Sequence, residues 1–182
     1  EDVAGLVMEV VAGHDPSELR EGPERLLNMA ILELDGNLMG AFMARAFSLS
    51  DALERSARID IAMKKAFRTA VQCLKSAVEA AAREREDPDR SREEALRQAS
   101  RLLLGLQYMG GDDALIFSPA WAAIPLALCM AIEFSREMGH SFDPRSCSST
   151  GATLSVGVVV APARHNIWLL LDSAGALLGE AK

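Results

Sequence analysis

The 182-residue chain holds only three cysteines, Cys73, Cys129 and Cys147, an odd number with no Cys-x-x-Cys pair. That usage excludes a disulfide framework and a zinc knuckle, and it makes a reducing cytoplasm the expected compartment. Basic residues are also short: 19 lysines and arginines face 26 acids, for a net charge of −7. Such a balance builds no basic sheath for duplex DNA. It leaves a nucleotide substrate open, because divalent cations reconcile clustered carboxylates with phosphates. A clean membrane span is missing too. The longest uncharged stretch, Ala114 to Ile132, is interrupted by Ser118, Pro119 and Pro125. No Walker loop, Rossmann fingerprint, nucleophile elbow or Ser/His/Asp order is found. His14, His140 and His165 are scattered singly. The chain opens Glu1-Asp2 with no methionine and no leader pattern, as a processed product or a piece of a longer chain would.

What is present suffices for a core. Hydrophobic residues make up 49% and charged residues 25%, which fits a globular domain that needs no staples and excludes general disorder. The length predicts one domain with an appendage. Residues 1–27 read as an N-terminal extension, mostly helical, in which Asp15 caps and Pro16 opens a helix. The domain proper is expected over residues 28–182.

Within it, Leu26 to Leu34 reads as a buried strand that delivers a carboxylate at its end, in Asp35-Gly36-Asn37. Ser48 to Asp51 caps a long helix whose apolar positions include Leu53, Ile59, Met63, Phe67, Val71, Leu74 and Val78. A charge run from Arg83 to Arg90 ends it, and Ser91 to Glu94 opens a further short helix. Leu103 to Met109 and Ala114 to Phe117 read as two strands of a hairpin around Gly110-Gly111-Asp112-Asp113. A helix to about Gly139, a polar loop from His140 to Gly151, a strand from Thr153 to Val160 and a helix from Ile167 to Lys182 follow. The order predicts an α+β fold: a ferredoxin-like βαββαβ palm with additional helices, its antiparallel sheet covered by helices on one face.

That topology sets the first strand beside the hairpin, so Asp35, Asp112 and Asp113 converge on one edge. Three close carboxylates repel one another unless divalent cations lie between them, and Mg²⁺ takes oxygen ligands from carboxylates and substrate phosphates. Such a site can hold two metals for phosphoryl chemistry, one activating a hydroxyl and the other neutralising a leaving diphosphate. The plain alternative is that Gly-Gly-Asp-Asp is only a good turn. Lys64 and Lys65, on the long helix, are further candidates for meeting phosphate.

Tyr108-Met109-Gly110-Gly111-Asp112-Asp113-Ala114-Leu115-Ile116 resembles the GGDD hairpin of the polymerase/cyclase palm in the large subunit of type III CRISPR effectors. Leu34-Asp35-Gly36-Asn37-Leu38-Met39-Gly40 is similar to the first-strand motif of that family, Asp-x-Asp-Asn-x-Gly. Ser48 to Ala66, Thr153 to Val158 and Ala174 to Lys182 resemble its following helix, fourth strand and closing helix. The GGDEF diguanylate cyclases are more distant, since Asp113 stands where they have glutamate and Ala114 where they have phenylalanine. The resemblance implies that Asp35, Asp112 and Asp113 are the catalytic metal ligands, for Mg²⁺ or Mn²⁺. It implies that Gly36, Asn37, Gly40, Gly110, Gly111 and Lys182 surround the nucleotide, with Lys182 on the triphosphate. The implied activity joins nucleoside triphosphates, ATP foremost, into a cyclic oligonucleotide with release of diphosphate. The implied partner is a second copy of the chain or a second palm in a larger complex. Asn37 stands where the family usually has a second aspartate. It keeps an oxygen but loses a charge, which leaves a catalytically weak palm, acting as a nucleotide-binding or subunit-interaction module, as the alternative.

Overall fold

The computed structural model describes residues 28–83, 105–139, 152–162 and 165–182. The expected extension over residues 1–27, the short helix from Ser91 and the loop from His140 to Gly151 lie outside them. In chain order the elements are β1 (Asn28–Asn37), α1 (Met39–Met43), α2 (Leu49–Arg83), β2 (Leu106–Gly110), β3 (Asp113–Pro119), α3 (Ala120–Glu137), β4 (Thr153–Pro162) and α4 (Ile167–Ala181). The strands form one sheet in the order β2-β3-β1-β4, with every neighbouring pair antiparallel. This is the expected ferredoxin-like α+β arrangement, with the hairpin beside the first strand.

Alternation along β1 decides how the helices are shared out. Ala30, Leu32 and Leu34 pack with α2 and α3 through residues such as Met63, Leu74, Met130 and Phe134. Ile31, on the other face, packs with Leu170 and Ala174 of α4. The expectation of helices on one face is therefore met by α2 and α3 and corrected by α4. The physical reason is that the second face is apolar as well, through Met29, Phe117, Val159 and Ala161, and an apolar sheet face must be covered. Each fully buried aliphatic residue, such as Ile31, Leu32 or Ile116, contributes about 1.5–3 kcal/mol over its exposed state.

The start of α2 follows the predicted cap. The Ser48 hydroxyl accepts from the Asp51 N–H at 3.2 Å, and the Asp51 carboxylate reaches back to the Phe47 N–H at 2.9 Å. That backbone bond, joined by Arg55, holds the Asp51 carboxyl below its ordinary value. In the core, burial pushes the Cys129 thiol up to about 12, which leaves it a neutral, unreactive packing residue at physiological pH.

One boundary moves in a way that matters for function. Asp35, Gly36 and Asn37 do not close β1 as a turn; they continue it, opposite Ser155, Leu154 and Thr153 of β4. Because β4 supplies ladder partners to that point, the chain turns only at Leu38, whose φ of 63° takes it from the strand into α1.

Candidate active site

The register of β1 on β3 ends with Leu34 opposite Ala114. One step further along the same antiparallel ladder, Asp35 comes opposite Asp113. The β2–β3 turn lies just beyond, where Gly111 adopts φ 62° and Gly110 pairs with Asp113. Asp35, Asp112 and Asp113 thus each offer a carboxylate oxygen, all within 4.8 Å of one another. Gly36 makes this possible: a Cβ there would lie 2.7 Å from the Asp112 Cβ and 2.8 Å from the Met39 Cγ. By contrast, Gly40 and Gly110 border open space.

The cluster has a cation of its own. Lys182, directly after α4, places Nζ 2.6 Å from Asp35 Oδ2. The hydrogen bond to Asp35, helped by the charges of Asp35, Asp113 and Asp112, raises the Lys182 ammonium above its ordinary value against an opposing effect of burial. Asp113 is also raised, first by its partial burial, then by the charge of Asp112 and by its hydrogen bond and charge interaction with Asp35, with Lys182 partly offsetting them. These are the electrostatics of a site with more carboxylates than resident positive charge.

The raised Asp113 has a consequence for pH dependence. A carboxyl that titrates higher in the folded than in the unfolded chain stabilises the fold below its unfolded value and loses that contribution as pH rises through the folded value. Metal-free protein should therefore gain stability as pH falls from neutrality toward the ordinary carboxyl value of 3.8, as far as this one group is concerned. Asp113→Asn should raise the neutral-pH stability of metal-free protein by about 0.5 kcal/mol, the scale of an exposed charge pair. It should also flatten that pH dependence. Melting curves in chelator across pH 4–8 test this, and a variant that melts below the parent at pH 7 would refute it.

Other predicted residues fall as follows. The Asn37 side-chain amide is engaged by Thr153 at 3.0 Å and Ser155 at 2.9 Å, across on β4. Lys64 and Lys65 are exposed and ion-paired, with Asp60 at 2.6 Å and Glu137 at 2.9 Å. Three contributors carry no role at the site in the sequence reading. Asp60 of α2 accepts from the Gly111 N–H at 3.3 Å and so ties the long helix to the turn; in sequence it reads as half of an i,i+4 pair with Lys64. Tyr108 borders the cluster, its phenol raised by burial and then by Asp113, Glu33 and Asp35. Ser155 joins the sheet to the end of α4. Its only sequence signal is that it shares a strand face with Thr153.

A four-stranded antiparallel sheet in this order, with carboxylates gathered at the tip of its β2–β3 hairpin, defines a palm domain. Over residues 28–182 the chain matches the Cas10/Cmr2 second palm domain, and it belongs to that family. Among solved structures it is similar to a chain in the crystal structure of a Csm1-Csm4 cassette in complex with pppApA. The TM-score is 0.60 at 18% identity over 87% of this chain, which spans 20% of the length of that one. That likeness supports the fold. No curated protein matches the chain. Among the described residues, no helix is long and apolar enough to cross a membrane.

Proposed function

We propose that this chain is a nucleotidyltransferase palm that joins nucleoside triphosphates, ATP foremost, into a cyclic oligonucleotide with release of diphosphate. The observation that carries the reading is the convergence of Asp35, Asp112 and Asp113 within 4.8 Å, beside Lys182, in a member of the Cas10/Cmr2 second palm family. The pppApA named in the complex of the similar structure points to adenine nucleotides. The donor set is all carboxylate oxygen, the chemistry that suits Mg²⁺ or Mn²⁺. Asp35, Asp112 and Asp113 would hold the metal, which when bound lowers the pKa of an attacking ribose hydroxyl and neutralises the leaving diphosphate.

The remaining work belongs to the chain. Lys182 meets the triphosphate, while Gly36 to Gly40 and the turn glycines Gly110 and Gly111 let backbone N–H groups approach its oxygens. Asp60 fixes the turn. Positioning and charge neutralisation supply the rate, and no side chain needs to act as a general acid or base. One palm presents one such site, so joining two nucleotides calls for a second copy across a two-fold axis or a second palm in a larger complex. A cytoplasmic setting fits Cys73 and Cys129, which are thiols and not disulfide partners.

Incubation of the purified chain with each of the four nucleoside triphosphates and Mg²⁺ or Mn²⁺, with products identified by mass spectrometry, tests this. A cyclic oligonucleotide plus diphosphate is the expected outcome. The second reading is a binding module that holds a nucleotide or a partner subunit without turnover. It is favoured by the engagement of Asn37 with β4, and calorimetry showing bound nucleotide without product would establish it.

A further inference from the structure

The end of α4 is fastened to the sheet by a short chain of hydrogen bonds. Ser155 lies in β4 opposite Asp35, is 5% exposed, and places its hydroxyl 2.9 Å from the Ala181 carbonyl. The Asn37 amide nitrogen lies 2.9 Å from the same hydroxyl and 3.0 Å from that of Thr153. A hydroxyl carries one proton and an amide nitrogen two. With the two Asn37 N–H groups donated to Thr153 and Ser155, the Ser155 proton is free for Ala181, and every donor is used once. The competing contact, from Ser155 to the Asn37 carbonyl at 3.1 Å, is longer and would leave the Ala181 carbonyl without that donor. The last carbonyls of a helix have no partner within it, so Ser155 serves as an anchor supplied from the neighbouring strand.

We propose that Asn37 and Ser155 are positioning residues: together they hold the end of α4 on β4, and so hold the Lys182 ammonium at Asp35. Asn37, counted by resemblance among the residues around the nucleotide, acts here through Ser155 and Ala181. The choice of amide is chemically specific. An aspartate at position 37 has the same shape but no N–H; its carboxylate would take the Ser155 proton and deprive Ala181 of its donor. The consequence for turnover rests on the nucleotidyl-transfer reading, whereas the anchoring itself does not.

Asn37→Asp, Ser155→Ala and Ser155→Thr, each in the full chain, test the assignment by two readouts. The first is hydrogen exchange of the amides over residues 178–182 without nucleotide. The second is KM against kcat for ATP with Mg²⁺. Asn37→Asp and Ser155→Ala should speed that exchange about tenfold, the effect of losing one buried hydrogen bond. They should raise KM by a similar factor with kcat changed less than about twofold, because the lysine is displaced while the carboxylates stay. Ser155→Thr, which keeps the hydroxyl, should restore both. Unchanged exchange in Asn37→Asp would overturn the proposal, as would tighter Mg²⁺ binding or a higher kcat in that variant, which would make position 37 a metal ligand. If the parent chain makes no product, the nucleotidyl-transfer reading falls, and the exchange experiment alone decides the anchoring.

Discussion

An Asp35→Ala chain should make at least about a thousandfold less product than the parent, while its melting temperature stays within about 3 °C. Asp35 stands on β1, an inner strand of the sheet, and among the described residues it is the carboxylate that forms the 2.6 Å ion pair with Lys182. Its removal takes one oxygen from the ligand set and frees the lysine from the place where the triphosphate is expected. A thousandfold loss corresponds to about 4 kcal/mol of transition-state stabilisation, the several kcal/mol that a bound divalent cation supplies. Stability moves little, because two effects nearly cancel. The lost ion pair is partly exposed and worth under about 1 kcal/mol, and one of three mutually repelling charges disappears. Product quantified by mass spectrometry, with calorimetric melting alongside, checks both halves. Activity within tenfold of the parent would remove Asp35 from the ligand set; a collapse in melting temperature would mean that it is structural instead.

Gly157→Ala should have the opposite signature, a large loss of stability with activity lost as a result. Gly157 pairs with Glu33 in the sheet, and α4 lies directly on it. A Cβ at that position would stand 2.2 Å from the Ala174 carbonyl oxygen, 2.8 Å from the Leu178 nitrogen and 3.1 Å from the Leu178 Cβ. Two of these are backbone atoms, which cannot rotate aside as a flexible side chain would, so α4 must lift. Overpacking of this kind costs about 3 kcal/mol, roughly 9 °C in a domain of this size. Lifting α4 also moves Lys182 and strips cover from Ile31. Thermal melting checks the first effect, and nucleotide affinity the second. An alanine variant that melts with the parent would show that the contact between α4 and β4 is looser than these distances state.

The carboxylate cluster was legible in the sequence because it depends on local signals: two glycines before two aspartates make a hairpin, and a short apolar run delivers Asp35. The long helix was legible for the same reason, through its Ser48–Asp51 cap and apolar stripe. What escaped depends on register. That Asp35 and Asn37 remain within β1 is decided by β4, and that Asn37 meets Ser155 is decided by a pairing 118 residues away in the chain. Asp60 escaped because a helical acid four residues before a lysine already has a sufficient local explanation. The place of α4 escaped because the apolar residues of the second sheet face are spread over strands far apart in the chain. Ile31, Val159 and Ala161 show their common face only once the two strands that carry them are aligned.

The position of β1 at the centre of the sheet also governs how the domain is made. This strand comes first among the described elements, yet both of its partners, β3 and β4, follow much later in the chain. Loop closure of that length is slow, and topologies dominated by such distant pairings lie at the slow end of the folding range. Until β3 or β4 pairs with it, both edges of the apolar stretch Ala30-Ile31-Leu32 are open, and in that interval it is exposed to pairing with the wrong chain. The carboxylates meet only when β3 docks, and Lys182 joins them only when α4 settles on β4. Assembly of the site is therefore a late event in folding, and a trapped intermediate with α2 and the hairpin in place would hold its aspartates without their lysine.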